Sequence, residues 1–221
     1  NDPYIWSYIG RVRYREGKKD EAYAVWTRVL NDYPDYYQAK TGAVSCLMEK
    51  GRYWQAREWM MEILELDGRD EEILSRLKEA NEALITRLQE NPEYHEEGKD
   101  IPAGEGAIEL AWCLFQNERL DETIRYLENY TPEEGQEYSY TNLFGRVLYQ
   151  AERYQEARPY LEEWLRMITG TVDDGTQENQ RRRSRLGRAL YILGGCCYQL
   201  GEQEEAAAYV ERAAKEADSQ Q

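Results

Sequence analysis

Apolar and small residues recur along this chain with a long, regular period. Trp6, Ile9, Gly10, Ala22, Trp26 and Pro34 define the unit. An aromatic is followed three positions on by an aliphatic and then a glycine. An alanine comes twelve after the glycine, an aromatic four later and a proline eight beyond that. A shift of 34 residues keeps the register, with Val44 in the glycine position, then Leu47, Ala56 and Met60, and Gly68 in place of the proline. Leu110, Ala111, Leu114 and Leu127 repeat it with Thr123 at the alanine position. So do Phe144, Gly145, Leu148, Ala157 and Leu161, and finally Leu190, Leu193, Gly194, Gly201, Ala206, Val210 and Ala213. The glycine positions fall at 10, 44, 111, 145 and 194.

Two departures from the period predict specific elements. Residues 44 and 111 are separated by 67 positions, close to two periods. The intervening Leu74, Leu77, Leu84 and Leu88 predict one long amphipathic helix from Glu71 to Glu90. Asn91-Pro92 ends it, because proline cannot continue a helix. Glu93–Glu105 is acidic, carries glycine and proline, and reads as a surface loop. Residues 145 and 194 are 49 apart, one period plus 15. The excess reads as a polar loop, Thr169–Gln177, and an added N-terminal stretch on the next helix, Glu178–Leu186. Prolines sit mostly at boundaries, Pro159 excepted in the first turns of a helix expected from Arg153. No strand alternation stands beside turn signals.

The pattern resembles the tetratricopeptide repeat (TPR) family, whose 34-residue signature is W-x2-L-G-x2-Y…A-x3-F…P. The first unit departs from it at the tyrosine position, where Arg13 stands beside Tyr14. The resemblance implies an all-α fold, a right-handed α-solenoid of TPR-like helix-turn-helix repeats, with one degenerate repeat replaced by a long helix. Gly17 and Gly51 then mark turns within helix pairs. The implied organisation is 1–90, two repeats plus the long helix; 91–103, an acidic loop; and 104–221, three further repeats with an insertion at 169–186. Each pair buries its apolar faces only by stacking on its neighbours.

Composition narrows the function. With 43 acids against 28 bases the net charge is −15, a poor field for phosphate backbones, so no nucleic acid is expected as a general partner. No apolar run approaches the roughly 20 residues needed to span a bilayer, so no membrane insertion is expected. Cys46, Cys113 and Cys196 each lie two residues after a glycine position, where Val12 and Val147 stand elsewhere, so they and Cys197 read as core filler. A reducing compartment, the cytoplasm, is mildly favoured on this cysteine usage. The start at Asn1-Asp2-Pro3, without Met, suggests a piece of a longer protein.

Catalytic sets are absent from the pattern. The one histidine, His95, lies among carboxylates as Tyr94-His95-Glu96-Glu97 and reads as a solvated loop residue rather than a metal ligand. There is no phosphate-binding glycine loop. The expectation is no enzyme, no cofactor and no metal. Arg181-Arg182-Arg183-Ser184-Arg185 reads as the outer face of the lengthened helix.

By the resemblance, the first helix of each pair turns one face to a concave groove. Helical spacing puts on that face Tyr4, Ser7, Arg11, Tyr14 and Arg15, then Gln38, Thr41, Ser45, Met48 and Glu49. The third set is Glu105, Ile108, Trp112, Phe115 and Gln116, and the fourth Ser139, Asn142, Arg146, Tyr149 and Gln150. The fifth is Arg188, Tyr191, Gly195, Tyr198 and Gln199. Four arginines against two glutamates make this face net positive in an acidic chain, and seven of its residues are aromatic. Arginine and aromatics dominate interface energetics. The expected partner is a protein or peptide with acidic side chains and apolar anchors, bound by a monomer or weak dimer. The matching positions Ser7, Arg11, Gly42, Glu105 and Glu109 do not reproduce the Lys and Asn clamp that some TPR co-chaperones use on a C-terminal carboxylate. The alternative is a structural spacer or dimerising arm, with Leu77 and Leu84 on a candidate seam, or a regulatory arm of a co-chaperone-like multi-domain protein.

Overall fold

The recurring glycine of the repeat makes sense once its neighbour is seen. Gly10 lies against Trp26, sixteen positions later, so closely that a Cβ on it would stand 2.5 Å from the indole Nε1. The same offset joins Gly145 to Leu161 and Gly194 to Val210, each at 2.9 Å from such a Cβ. The small residue lets the two helices of a pair approach, and the large one fills the gap.

The computed structural model describes residues 2–66, 68–170 and 177–218. It divides into two compact units, Asn1–Asn117 and Glu118–Gln221. In the first unit the helices are α1 (Pro3–Arg15), α2 (Lys19–Asp32), α3 (Tyr37–Glu49), α4 (Tyr53–Leu66), α5 (Glu71–Glu90) and α6 (Ala103–Gln116). A hairpin of β1 (Tyr94–Glu96) and β2 (Lys99–Ile101) lies between the last two. The second unit holds α7 (Leu120–Glu128), α8 (Glu137–Gln150), α9 (Tyr154–Thr169), α10 (Gln177–Gln199) and α11 (Gln203–Asp218). The described residues form an all-α fold of successive helices, with one short hairpin added.

Local chemistry starts and stops these helices. The Asp2 carboxylate accepts from the Tyr4 amide at 2.9 Å and Pro3 opens α1. Asp70 accepts from the Ile73 amide at 3.0 Å and caps α5. Within the first two pairs the turn is made by Gly17 (φ 78°) and Gly51 (φ 70°), left-handed positions that glycine takes without penalty. Glu152 makes the same turn in the α8–α9 pair at φ 60°, with the Arg153 amide donating to the Leu148 carbonyl at 2.9 Å.

The long helix spans Glu71–Glu90, as the spacing predicts. Its buried face is Ile73, Leu77, Ala80, Leu84, Ile85 and Leu88, while Leu74 is exposed. Leu77 and Leu84 are therefore core residues of the first unit, and the seam expected from them is already filled by their own chain.

The segment read as an acidic surface loop is a β-hairpin instead. Tyr94 pairs with Ile101, His95 with Asp100 and Glu96 with Lys99. Tyr94 and Ile101 turn inward and are buried, and Gly98 makes the turn at φ 87°. Glu96 accepts from the Trp54 and Gln55 amides at 3.1 and 2.9 Å, so the hairpin supplies a carboxylate to the first turn of α4. The helix Ala103–Gln116 groups with the first unit, which ends at Asn117. The polar loop expected at 169–177 falls, for residues 171–176, outside the described residues; α10 then runs for 23 residues, as the lengthened helix requires.

Candidate interaction faces

In the first unit the residues picked out by helical spacing divide in two. Tyr4, Arg11 and Arg15 are exposed on α1. Ser7 is not: it is 5% exposed, and its carbonyl accepts from the Trp26 indole at 3.1 Å. On α3, Thr41 is half-buried and bonds the Gln38 carbonyl, and Met48 packs against the Val44 and Leu47 cluster. The Tyr14 hydroxyl bonds Glu49, which also pairs with Lys19. Burial first, and then Glu49, push the Tyr14 hydroxyl up to about 12. Ser45 accepts from Arg76 on α5 at 2.7 Å, a basic contribution the repeat register did not reveal. On α6, Trp112 and Phe115 are half-buried with ring centroids 6.1 Å apart. Glu49 on this face is thus engaged by Tyr14 and Lys19, while Arg11 and Arg15 stay exposed.

The second unit differs. Tyr149 on α8 and Tyr191 and Tyr198 on α10 line one cleft, and Arg146 feels the charge of Arg188. Tyr191 and Tyr198 are 68% and 64% exposed, values rarely seen for tyrosines on a packed face. Tyr149 stacks edge-on against Tyr154 at 5.6 Å and lays its hydroxyl across Gly195, where a Cβ would be 2.5 Å away. Gly195 is therefore needed for Tyr149 to bridge α8 and α10. Burial, and then the charge of Arg188, lower Arg146 to about 10.

The tyrosines border a cleft of about 550 Å³ between α10 and α11. Its walls are Tyr149, Tyr191, Gly194, Gly195, Tyr198 and Gln199, and across from them Gln203, Ala206, Ala207 and Val210. Its size and largely apolar wall with polar tips suit a side-chain anchor. The contribution of α11 went unnoticed in the sequence, because Val210 reads there as an ordinary core position.

Other candidate chemistry resolves into surface networks. Cys197, Glu202 and Glu205 come together, but Arg158 already pairs with Glu202 and, at 3.0 Å, with Glu205. His95 is exposed and bonds Asp100 at 3.0 Å, a contact that raises its pKa. In the basic run, Arg182 donates to the Ile168 carbonyl at 3.2 Å; the side chain of Arg181 lies outside the described residues. Among the described residues no helix is long and apolar enough to cross a membrane.

Two family models described as tetratricopeptide repeat match residues 13–80 and 180–221. Among curated proteins none matches the chain. Among solved structures, a MamA protein (MSR-1) aligns at 13% identity over 99% of this chain and 98% of its own, with a TM-score of 0.46. A tetratricopeptide repeat protein from Parabacteroides merdae aligns at 14% identity over 96% and 78%, with a TM-score of 0.44. YrrB, described as a TPR protein with an unusual peptide-binding site, aligns at 14% identity over 97% and 86%, with a TM-score of 0.42.

Proposed function

The chain belongs to the tetratricopeptide-repeat family, a family of protein–protein interaction modules, and on that premise we propose that its second unit binds a partner segment on the face shared by α8 and α10. The partner is a peptide segment that carries acidic side chains near an apolar anchor. The observation that carries this reading is the pairing of two exposed tyrosines, Tyr191 and Tyr198, with the neighbouring guanidinium groups of Arg146 and Arg188. Tyrosine supplies large contact area at low entropic cost, and arginine supplies bidentate recognition of a carboxylate. Packing alone does not require a basic face in a chain of charge −15. In the first unit, Tyr4, Arg11, Tyr14, Arg15, Thr41, Met48, Trp112 and Phe115 are proposed as a second, weaker surface. Their aromatics are partly committed to internal contacts.

A displayed random-peptide library, selected on the 221-residue chain, tests the proposal. Enriched peptides are expected to combine Asp or Glu with an aromatic or large aliphatic residue. Arg188→Glu and Tyr191→Ala, both on exposed side chains, are expected to lower their affinity about tenfold or more with folding unchanged. Peptides bound equally by parent and both variants would place the binding face elsewhere.

A further inference from the structure

Helices α2, α7 and α9 begin without a side-chain cap, so the turn that opens such a helix forms unaided. The first turn of α4 instead holds a carboxylate from 42 residues further on. It is one of several contacts that converge on the hairpin. Glu96 takes the Trp54 and Gln55 amides. Glu97 takes Arg52 twice, on its carboxylate at 3.1 Å and on its carbonyl at 2.8 Å. The Gln55 side chain donates to the same carbonyl at 2.7 Å. Arg87 donates to the Tyr94 hydroxyl at 2.9 Å, and the Tyr94 ring stacks on Trp54 with centroids 6.5 Å apart. Amides on one carboxylate, a guanidinium on the next, a side-chain amide on a main-chain carbonyl and an aromatic slot are how a surface reads an extended peptide. The charges are complementary too. Residues 93–101 carry four carboxylates and one lysine, and the surface beneath carries Arg52, Arg87 and the positive end of α4.

The segment is held as a ligand is held. Of residues 93–101 only Tyr94 and Ile101 are buried. Two strands of three residues are not stable by themselves, so the hairpin depends on the surface it lies on. Its ends are fixed without it. Gly106 lies so close to Leu88 and the Pro92 carbonyl that a Cβ there would overlap them. Residues 93–101 are therefore a loop between pinned ends, and α5 and α6 stay in place when it lifts. Nor is the fit complete. The Arg52 side chain is only 14% exposed, and its buried Nε has no hydrogen-bond partner among the described residues. A buried donor left unpaired costs free energy, so a carboxylate that engages Nε and an Nη together binds this arginine better than Glu97 does.

We propose that residues 93–101 are a strap that the chain lays over a peptide site of its own. The surface at the start of α4 then takes an extended partner segment with an aromatic residue followed by adjacent carboxylates. This site lies within the first unit and is separate from the α8 and α10 face. The strap is tethered, so it competes at a high effective concentration and keeps the site closed until a segment that fits Arg52 better is present. Opening is local, because it gives up two apolar anchors and leaves the helices folded.

A labelled synthetic peptide of residues 92–102 is the probe, and fluorescence anisotropy reads its affinity for the 221-residue chain. The chain carries Arg188→Glu throughout, so that the face proposed in the second unit does not contribute. Glu96→Ala with Glu97→Ala loosens the strap and is expected to raise affinity for the probe about tenfold or more, with the helical signal unchanged. Adding Arg52→Ala is expected to abolish that gain. Equal affinity with and without the strap changes, no binding to either chain, or a gain that survives Arg52→Ala overturns the inference. Hydrogen exchange reads the opening with no substitution in the strap. The hairpin amides are expected to exchange through local opening, well ahead of those of α4 and α5. Hairpin amides that exchange only together with those helices overturn the inference as well. Probe binding that is present without Arg188→Glu and lost with it reports on the second unit, so failure here and failure of the peptide-binding proposal are separable.

Discussion

Arg57 and Glu109 meet at 3.0 Å inside the first unit, with side chains only 10% and 21% exposed. The guanidinium also donates twice to Gln116, at 3.2 and 3.1 Å, and Asn81 donates to the same oxygen at 3.3 Å. One polar cluster thus ties α4, α5 and α6 together. Removing one partner strands a buried charge. Glu109→Ala is expected to cost about 3–5 kcal/mol in urea unfolding, whereas Arg57→Met with Glu109→Leu is expected to be close to neutral. Equal losses from the single and double changes would show that the pair contributes through attraction alone.

Burial pushes the Glu109 carboxyl above its ordinary range despite the opposing pull of Arg57. The sign follows from linkage. A carboxyl whose folded pKa is raised holds its proton more tightly when folded. Its contribution to stability is fully present below the unfolded value of about 4.3 and is lost as pH rises through the folded value. Stability measured from acid to neutral pH is therefore expected to show a downward component that Glu109→Gln removes. An unchanged pH profile in that variant would remove Glu109 from the titrating groups.

Gly42 is a packing position rather than a turn, since its absent Cβ makes room for Trp26. Gly42→Ala is expected to destabilise by about 1–3 kcal/mol, and Trp26→Phe in the same chain to recover part of the loss. Thermal unfolding of the two single variants and the double variant checks the coupling, which vanishes if the two residues act independently.

Much of this fold is legible in sequence because stacking repeats impose it residue by residue. Gly10, Gly145 and Gly194 mark close crossings, and Ala22, Ala56 and Ala157 are fully buried where the register places them. The cysteines after the glycine positions are buried for the same reason. What escaped has a physical cause. Each strand of the hairpin is three residues long, too short for alternation to rise above the surrounding acids. Its anchor, Glu96, looks like one more surface carboxylate until it is found at the start of α4. Helical spacing groups Tyr149, Tyr191 and Tyr198, which line one cleft, but Ser7 shows the limit of helical spacing alone. The register puts it on the open face, and the Trp26 indole lies over its carbonyl.

Glu152 occupies a left-handed turn position at φ 60°, as Glu118 does at φ 63°, where Gly17, Gly51 and Gly201 stand in other pairs. A side chain there costs about 1–2 kcal/mol. Glu152→Gly is expected to recover up to about 1 kcal/mol, since glycine also gains freedom in the unfolded chain. Denaturant titration reads the gain directly, and a loss would show that the Glu152 side chain makes a compensating contact.

The four cysteines offer a probe of native packing. All are buried, and burial is the leading cause that raises their thiols, to about 11 for Cys46, Cys113 and Cys197. The reactive thiolate is therefore scarce near pH 8, where a free cysteine of pKa about 8.5 ionises appreciably. Disulfide reagents are expected to leave the folded chain unmodified and to titrate four thiols once it is denatured. Cys197 is the sharpest case, because Glu202 and Glu205 stand nearby as conceivable zinc ligands. Arg158 already occupies both carboxylates, so added zinc is expected to leave the melting temperature unchanged, and a rise abolished by Cys197→Ser would reassign the cluster to metal binding.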